Sequence, residues 1–254
     1  MTDTDPLADE IAQELDLLAL RYRRAGGVGM QVLNLVGGSA ESLIDKLPLE
    51  VRGGLDRATE AALNAAMRAA QGSRGVLADQ PGWLNVAVST AMGAAGGFGG
   101  LPSALAELPV TTTVLLRSIQ GVAAEHGFDP AAQNVQFDCI RVFASAGPLG
   151  AGEGADLAFL TTRMALTGST LQALIAKVAP RLALVLGQKL AAQTVPVLGA
   201  VAGAATNYAY TSYYQEMAHV HFGLRKLAIE ADLSDAELIG QLRLRVQESP
   251  VNTA

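Results

Sequence analysis

Between Lys189 and Glu216 the chain carries no charged residue, and the stretch then runs directly into a segment with two histidines, an arginine and a lysine, QEMAHVHFGLRK. A run with no charge has no stripe to offer solvent, so it must lie inside something apolar. Residues Gln193 to Ile229 read as one long central helix. Its first half is rich in Gly and Ala, which let other helices come close, and its second half sets Asn, Tyr, His and Arg along one stripe. A second gap without charge extends from Asp79 to Glu107. Each gap is long enough to cross a bilayer, for which about 20 apolar residues are needed. Both are diluted by Gly, Ser, Thr, Asn, Gln and Pro, as in the interior helices of a soluble bundle. Gly93 with Gly97 and Gly199 with Gly203 match the small-xxx-small spacing of helices whose backbones touch in membranes, a spacing also common in Ala/Gly-rich soluble helices. Buried helices and membrane contact therefore both stay open for residues 80–106 and 190–215.

Composition narrows the fold and the partners. Half of the 254 residues are hydrophobic but only 5% are aromatic, so the apolar bulk is Ala, Val and Leu, the material of closely packed helices. The net charge is −6, and no run of Lys or Arg is interleaved with aromatics, which argues against nucleic acid as a partner. The lone Cys139 rules out an internal disulfide and a cysteine-based metal cluster, and reads as a small buried hydrophobe. An acidic beginning, MTDTDPLADE, is unlike a secretory signal and leads to a cytoplasmic expectation.

The helices follow from their punctuation. Pro6 after Asp5 starts an amphipathic helix expected to end near Arg24, broken by Gly26-Gly27, with Val28 to Val36 a separate apolar stretch. Ser39 to Lys46 is a brief helix. Another starts at Leu47-Pro48 and reaches about Ala70, with Arg52, Asp56, Arg57, Glu60 and Arg68 wet and Leu55, Ala62, Leu63 and Ala66 turned inward. Residues 72–82 form a loop. Further helices are expected from Pro102 to Glu125, ended by Gly127; from the Asp129-Pro130 cap to about Ala146; from Asp156 to Leu166; and from Thr170 to Gln193, with a kink near Pro180. The Gly-rich stretch 147–154 lacks the Lys-Ser or Lys-Thr ending of a phosphate loop. Ser234-Asp235-Ala236-Glu237 is a capping box opening a last helix, followed by a loose tail from Ser249. No alternating strand pattern and no repeat is visible, so the fold class is all-α, a single multi-helix bundle. Its expected divisions are residues 1–75, 76–248 and a tail of 249–254.

Two helices carry polar groups that their apolar setting does not explain. Counting about 100° per residue, Glu107, Thr111 and Ser118 share one face, with Thr113 and Arg117 an adjoining i,i+4 pair. Threonine hydroxyls in such a place can simply bond back to the preceding turn. In the central helix Asn207, Thr211, Tyr214, His221 and Arg225 fall on one stripe, while Glu216 and His219 face elsewhere. The candidate polar pocket is therefore Glu107, Thr111, Thr113, Arg117, Asn207, Tyr214, Glu216, His221 and Arg225. A dinuclear carboxylate site needs two Glu-x-x-His motifs and two further carboxylates, and only one such motif is present. No metal is assigned; His221, Glu107 and Glu216 are the residues a metal site would draw on, and a histidine bonded to a carboxylate or carbonyl is the plainer role for His221. No nucleophile elbow, His-Glu-x-x-His or Cys-His arrangement appears.

At ELPVTTTVLLRSI, QTVPVLGAVAGAATNY and YYQEMAHVHFGLRKL the chain resembles the EcsC protein family, over roughly residues 77–230. The matching positions are Glu107, Pro109, Thr111 to Thr113, Arg117, Ser118 and Phe143, then Lys189, Gln193, Pro196, Gly199, Gly203 and Asn207, and finally Gln215 to Ala218, His221, Phe222 and Arg225. The chain departs from the pattern at His219, where other members often carry Arg, and at Ala228, where a Glu is expected; the segment 147–171 is shorter than in many members. The resemblance implies a bacterial, intracellular helical protein with membrane association, and it brings no catalytic activity or cofactor.

Three functions fit these observations. The leading one is an accessory protein that binds lipid or a membrane surface, or a membrane-protein partner, peripherally at the inner face of the membrane. The second is an enzyme, with a metal-dependent hydrolase as one form of it, whose pocket combines Glu107, Thr111, Arg117, Asn207 and His221, with Glu107 or His221 as general base and Arg117 binding an anion. The third is an interior hydrogen-bond network that sets helix register and nothing more.

Overall fold

The computed structural model describes residues 6–36, 44–45, 47–73, 86–92, 100–143, 145, 147, 160, 171–193 and 199–248. Seven helices organise them: α1 (Pro6–Val36), α2 (Leu49–Ser73), α3 (Gly100–Glu125), α4 (Gln133–Phe143), α5 (Leu171–Gln193), α6 (Gly199–Glu230) and α7 (Asp235–Glu248). Residues 86–92 add a further helical turn or two, and no strand occurs among the described residues. The architecture is an all-α bundle with one continuous core.

Helix α6 is its axis. It touches α1, α3, α4, α5 and α7, while α2 packs on α3 and α5. From Thr206 to Leu224 nearly every side of α6 is covered, with Tyr210, Tyr213, Tyr214 and Phe222 among the largest buried side chains. The polar side chains Thr206, Asn207 and Thr211 are completely enclosed with them. The helix begins at Gly199, and Gln193 belongs to the end of α5, so the expected single helix from Gln193 is two elements.

The N-terminal helix corrects another expectation. Rather than ending near Arg24, α1 passes through Gly26-Gly27 to Val36. Each interior glycine costs about 1 kcal/mol of helix propensity, a cost the helix absorbs; the buried stripe of Leu15, Leu18, Ala19, Tyr22 and Ala25 anchors the turns that precede the pair. Helix α2 follows its pattern as read: Leu55, Ala62, Leu63 and Ala66 are buried and Asp56, Arg57, Glu60 and Arg68 exposed. Cys139 is fully buried in α4. The expected segments at 39–43, 72–82, 148–159 and 161–170 lie largely or wholly outside the described residues.

Helix ends set up the functional region. Gly127 takes a left-handed conformation, φ +84°. The Gly127 amide donates to the Ala124 carbonyl at 2.9 Å, and the Phe128 amide donates to Ala123 at 3.0 Å. This is a Schellman ending, in which a residue free of Cβ strain turns the chain and satisfies the last carbonyls. It stops α3 as expected and swings His126 and Phe128 toward α6. Asp129 then accepts from the Ala131 amide at 2.9 Å, but residues 130–132 are a turn, and α4 runs only from Gln133 to Phe143. At the start of α7 the Glu237 amide donates to Ser234 Oγ at 3.2 Å, the expected cap.

One described helix is long and apolar enough to cross a membrane by length and composition, Leu171–Ala191 of α5, with mean hydropathy 1.2 and 56% of it buried inside the fold. It is neither of the two uncharged stretches singled out in the sequence. It contains Pro180 and the fully buried Lys189.

Helices α1 and α6 approach tightly at Gly223, where a Cβ would come within 2.6 Å of Leu18 Cδ2. Gly223→Val should therefore destabilise the fold by about 1–3 kcal/mol in urea denaturation. The penalty should shrink by about 1 kcal/mol in a Leu18→Ala background, because the two residues share one space.

Candidate functional site

The site starts from a carboxylate in an apolar helix. Helix α4, QNVQFDCIRVF, buries Val135, Phe137, Cys139, Ile140, Val142 and Phe143, and Asp138 with them. Arg141 lies three residues on, over the same helical face. From α6, His221 and Arg225 present an i,i+4 pair to the same spot. Arg225 Nη1 donates to Asp138 Oδ2. Arg141 Nη1 donates to Oδ1 at 3.3 Å, and His221 Nε2 stands 3.3 Å from that oxygen. Three groups from two helices thus converge on one carboxyl whose side chain is only 10% exposed.

Each cation is also held from outside. Arg141 Nη2 donates to the Leu160 carbonyl at 3.2 Å. The Arg225 guanidinium lies over the Phe128 ring, 4.5 Å from its centre, a cation–π contact made available by the Schellman turn. Burial pushes the Asp138 carboxyl up, but the hydrogen bond and charge of His221, with the charges of Arg225 and Arg141, outweigh it and hold the carboxyl below its usual range. Asp138 is therefore ionised at neutral pH.

The cluster forms the floor of an open cleft of about 240 Å³. Asn134 and Asp235 contribute its polar rim and Leu160, Leu224 and Ile239 an apolar wall. Asn134 and Asp235 are exposed, whereas the floor is nearly enclosed. Within the floor two guanidiniums face one carboxylate, and Asp235 offsets them only from the solvent side, where its charge is screened.

The sequence-derived candidates separate into distinct places. His221 and Arg225 belong to this cleft. Asn207 lies 14 residues before His221, about 21 Å along the helix, and its Nδ2 donates to the Ser89 carbonyl at 2.8 Å. Thr211 Oγ1 donates to Ser89 Oγ at 2.7 Å, so these two clamp the helical segment 86–92. Tyr214 is enclosed against Phe143, with ring centres 5.1 Å apart, and burial pushes its hydroxyl well up. Glu216 turns the other way and accepts from Arg21 Nη1 at 3.0 Å. Thr111 is buried and Arg117 half-buried on α3. Thr113 Oγ1 donates to the Pro109 carbonyl at 2.8 Å, and Thr112 Oγ1 to that of Leu108 at 2.7 Å, the back-bonding that interior threonines favour. The side chain of Glu107 lies outside the described residues. A shared stripe is a shared direction and not a shared position, which is why one expected pocket becomes several polar contacts.

Sequence reasoning missed Asp138 and Arg141, the two α4 members. Their signal was present as a carboxylate and a guanidinium three residues apart in an otherwise apolar helix. It also missed that His126, beyond the end of α3, reaches His219: His126 Nε2 and His219 Nδ1 are 3.2 Å apart. Among the described residues no group of three or more His, Cys, Asp or Glu side chains is placed to hold a metal.

Removing the central charge should be expensive. Asp138→Asn leaves two guanidiniums without their counter-charge and should cost about 3 kcal/mol in chemical denaturation at pH 7. Because the folded carboxyl titrates below its ordinary value of 3.8, its contribution is fully present above that pH and is lost as pH falls through the lower folded value. The wild-type stability curve should therefore fall more steeply below about pH 4 than that of Asp138→Asn.

No curated protein and no solved structure matches the chain significantly. A model of the EcsC protein family matches residues 73–227, a span that holds α3 to α5, most of α6 and all four residues of the Asp138 cluster. With more than half of its length inside that match, the chain belongs to the EcsC protein family.

Proposed function

We propose that the protein is a non-enzymatic binding protein that takes the anionic head group of a lipid into the Asp138 cleft, acting peripherally at the inner face of a membrane. The observation that carries this reading is the pairing of Arg141 and Arg225 on one buried carboxylate at the floor of an open cleft. A guanidinium has five donors in a rigid fork, so it can serve a carboxylate and an incoming phosphate oxygen together. Asp138 holds the two guanidiniums in place before a ligand arrives, which lowers the ordering cost of binding. The wall of Leu160, Leu224 and Ile239 offers apolar contact to the first carbons beyond a head group. At about 240 Å³ the cleft is smaller than the roughly 300–1,000 Å³ typical of sites that enclose a whole drug-sized ligand. That size suits a head group whose chains remain in the bilayer.

An enzymatic reading draws on the Asp138–His221 pair, since a carboxylate that orients an imidazole is the usual support of a general base. His221 is nearly buried and shares that carboxylate with two arginines, an arrangement better suited to fixing charge than to moving a proton.

Untagged protein purified without detergent should sediment with vesicles of phosphatidylcholine containing phosphatidylglycerol, and not with phosphatidylcholine alone. Asn134→Glu, at the exposed rim, should weaken that retention about fivefold through a repulsive charge at the cleft mouth. Equal retention on both vesicle types, or none on either, would overturn the proposal. Loss of retention in millimolar inorganic phosphate would instead identify a soluble oxyanion as the preferred ligand.

A further inference from the structure

On the opposite side of α6 from Asp138, where Glu216 points to α1, two imidazoles from different parts of the chain meet. His126 follows the last turn of α3 and His219 sits in the middle of α6. Their facing nitrogens, Nε2 and Nδ1, are 3.2 Å apart, and the rings meet edge to face with centres 5.4 Å apart. Both are half-buried. We propose that His126 and His219 form a two-histidine binding site for a divalent transition-metal cation such as Zn2+ or Cu2+, with water completing the coordination.

Distance, charge state and surroundings support this together. Two nitrogens that each bind a tetrahedral ion at about 2.0–2.1 Å stand about 3.3 Å apart, so the pair needs only a small swivel of the rings to admit an ion in place of its shared proton. Metal ligation requires neutral imidazole. Burial is the main cause lowering the pKa of each ring; Lys226 and Arg21 lower His126 further, and Arg21 and His126 lower His219, to about 4. Both rings are thus held neutral, and an ion has to displace only the one proton shared between the facing nitrogens.

The outer contacts have the right chemistry as well. Glu125 Oε2 lies 3.8 Å from His219 Nε2, the nitrogen that faces away from His126. A carboxylate behind a ligating histidine is the common outer partner that fixes its tautomer and raises its basicity. The two nearby cations each carry a carboxylate of their own: Arg21 pairs with Glu216 at 3.0 Å and Lys226 with Glu230 at 3.7 Å. Their repulsion toward an incoming cation is offset, and Glu125 leaves the surroundings net negative.

The chain has three histidines, which makes the site separable by mutation. Full-length apo protein should take up one Cu2+ ion, with an electron paramagnetic resonance spectrum showing coupling to two imidazole nitrogens. His126→Gln and His219→Gln should each weaken Cu2+ and Zn2+ binding at least tenfold by titration calorimetry and remove one nitrogen from the spectrum. Glu125→Gln should weaken binding about tenfold while both nitrogens remain. His221→Gln should leave the affinity and the spectrum unchanged. Circular dichroism and melting without metal establish that each variant is folded. Wild-type affinity in both His126→Gln and His219→Gln, or a spectrum whose nitrogen coupling is lost only in His221→Gln, would overturn the assignment.

Discussion

The structure depends on one helix having to be covered on almost every side. A surface helix buries a stripe and leaves the rest to water, but α6 encloses Tyr210, Thr211, Tyr213, Tyr214, Ala218, Val220 and Phe222 within little more than three turns. No single neighbour can do that. Five other helices converge on it, and their approach follows what α6 presents: Gly223 where Leu18 packs in, the Tyr214 ring against Phe143 where more volume is needed. The low aromatic content of the chain does not prevent a dense core, because its tyrosines are concentrated on this helix.

Several polar groups on so enclosed a helix find partners, as the cost of about 1–3 kcal/mol for an unsatisfied buried group favours. Their partners lie on different neighbours, which divides the helix by level. Asn207 and Thr211 reach Ser89. Tyr210 donates its hydroxyl to the Val185 carbonyl of α5 at 2.9 Å. Glu216 binds Arg21 of α1, and His221 with Arg225 bind Asp138 of α4. The first two levels are directional contacts that set helix register. The last is different in kind, because it gathers several ionisable groups beside an open cleft.

How far the sequence disclosed this depended on whether a feature was local. Helix class, the Gly127 ending, the Ser234 cap and the inward face of α2 are encoded within a few residues, and they were legible. The continuation of α1 through Gly26-Gly27 was not, because the low helix propensity of glycine makes such a pair read locally as a break. Likewise His221 and Arg225 stood out by periodicity, whereas Asp138 could be recognised as their partner only once α4 was placed beside α6. Helical counting assigns an azimuth and is silent about height, and this is why Asn207 and Thr211 were grouped with His221 and Arg225, whose contacts they do not share.

Two elements outside the family match complete what the matched region begins. Helix α1 packs on α6, with Leu18 against Gly223, and supplies Arg21, while α7 contributes Asp235 and Ile239 to the cleft. The two are tied to each other, with Arg245 donating to Asp16 at 2.9 Å and Arg23 donating to the Arg245 carbonyl at 3.2 Å. Those links are partly exposed and each is worth little alone, so the apolar stripe of α1 provides most of the adhesion and the ionic contacts fix its orientation. For the proposed head-group site the consequence is specific. The charged floor of the cleft comes from the family region, but Asp235 on its rim and Ile239 in its apolar wall come from α7, so in that proposal the floor sets the class of ligand and α7 the choice within it.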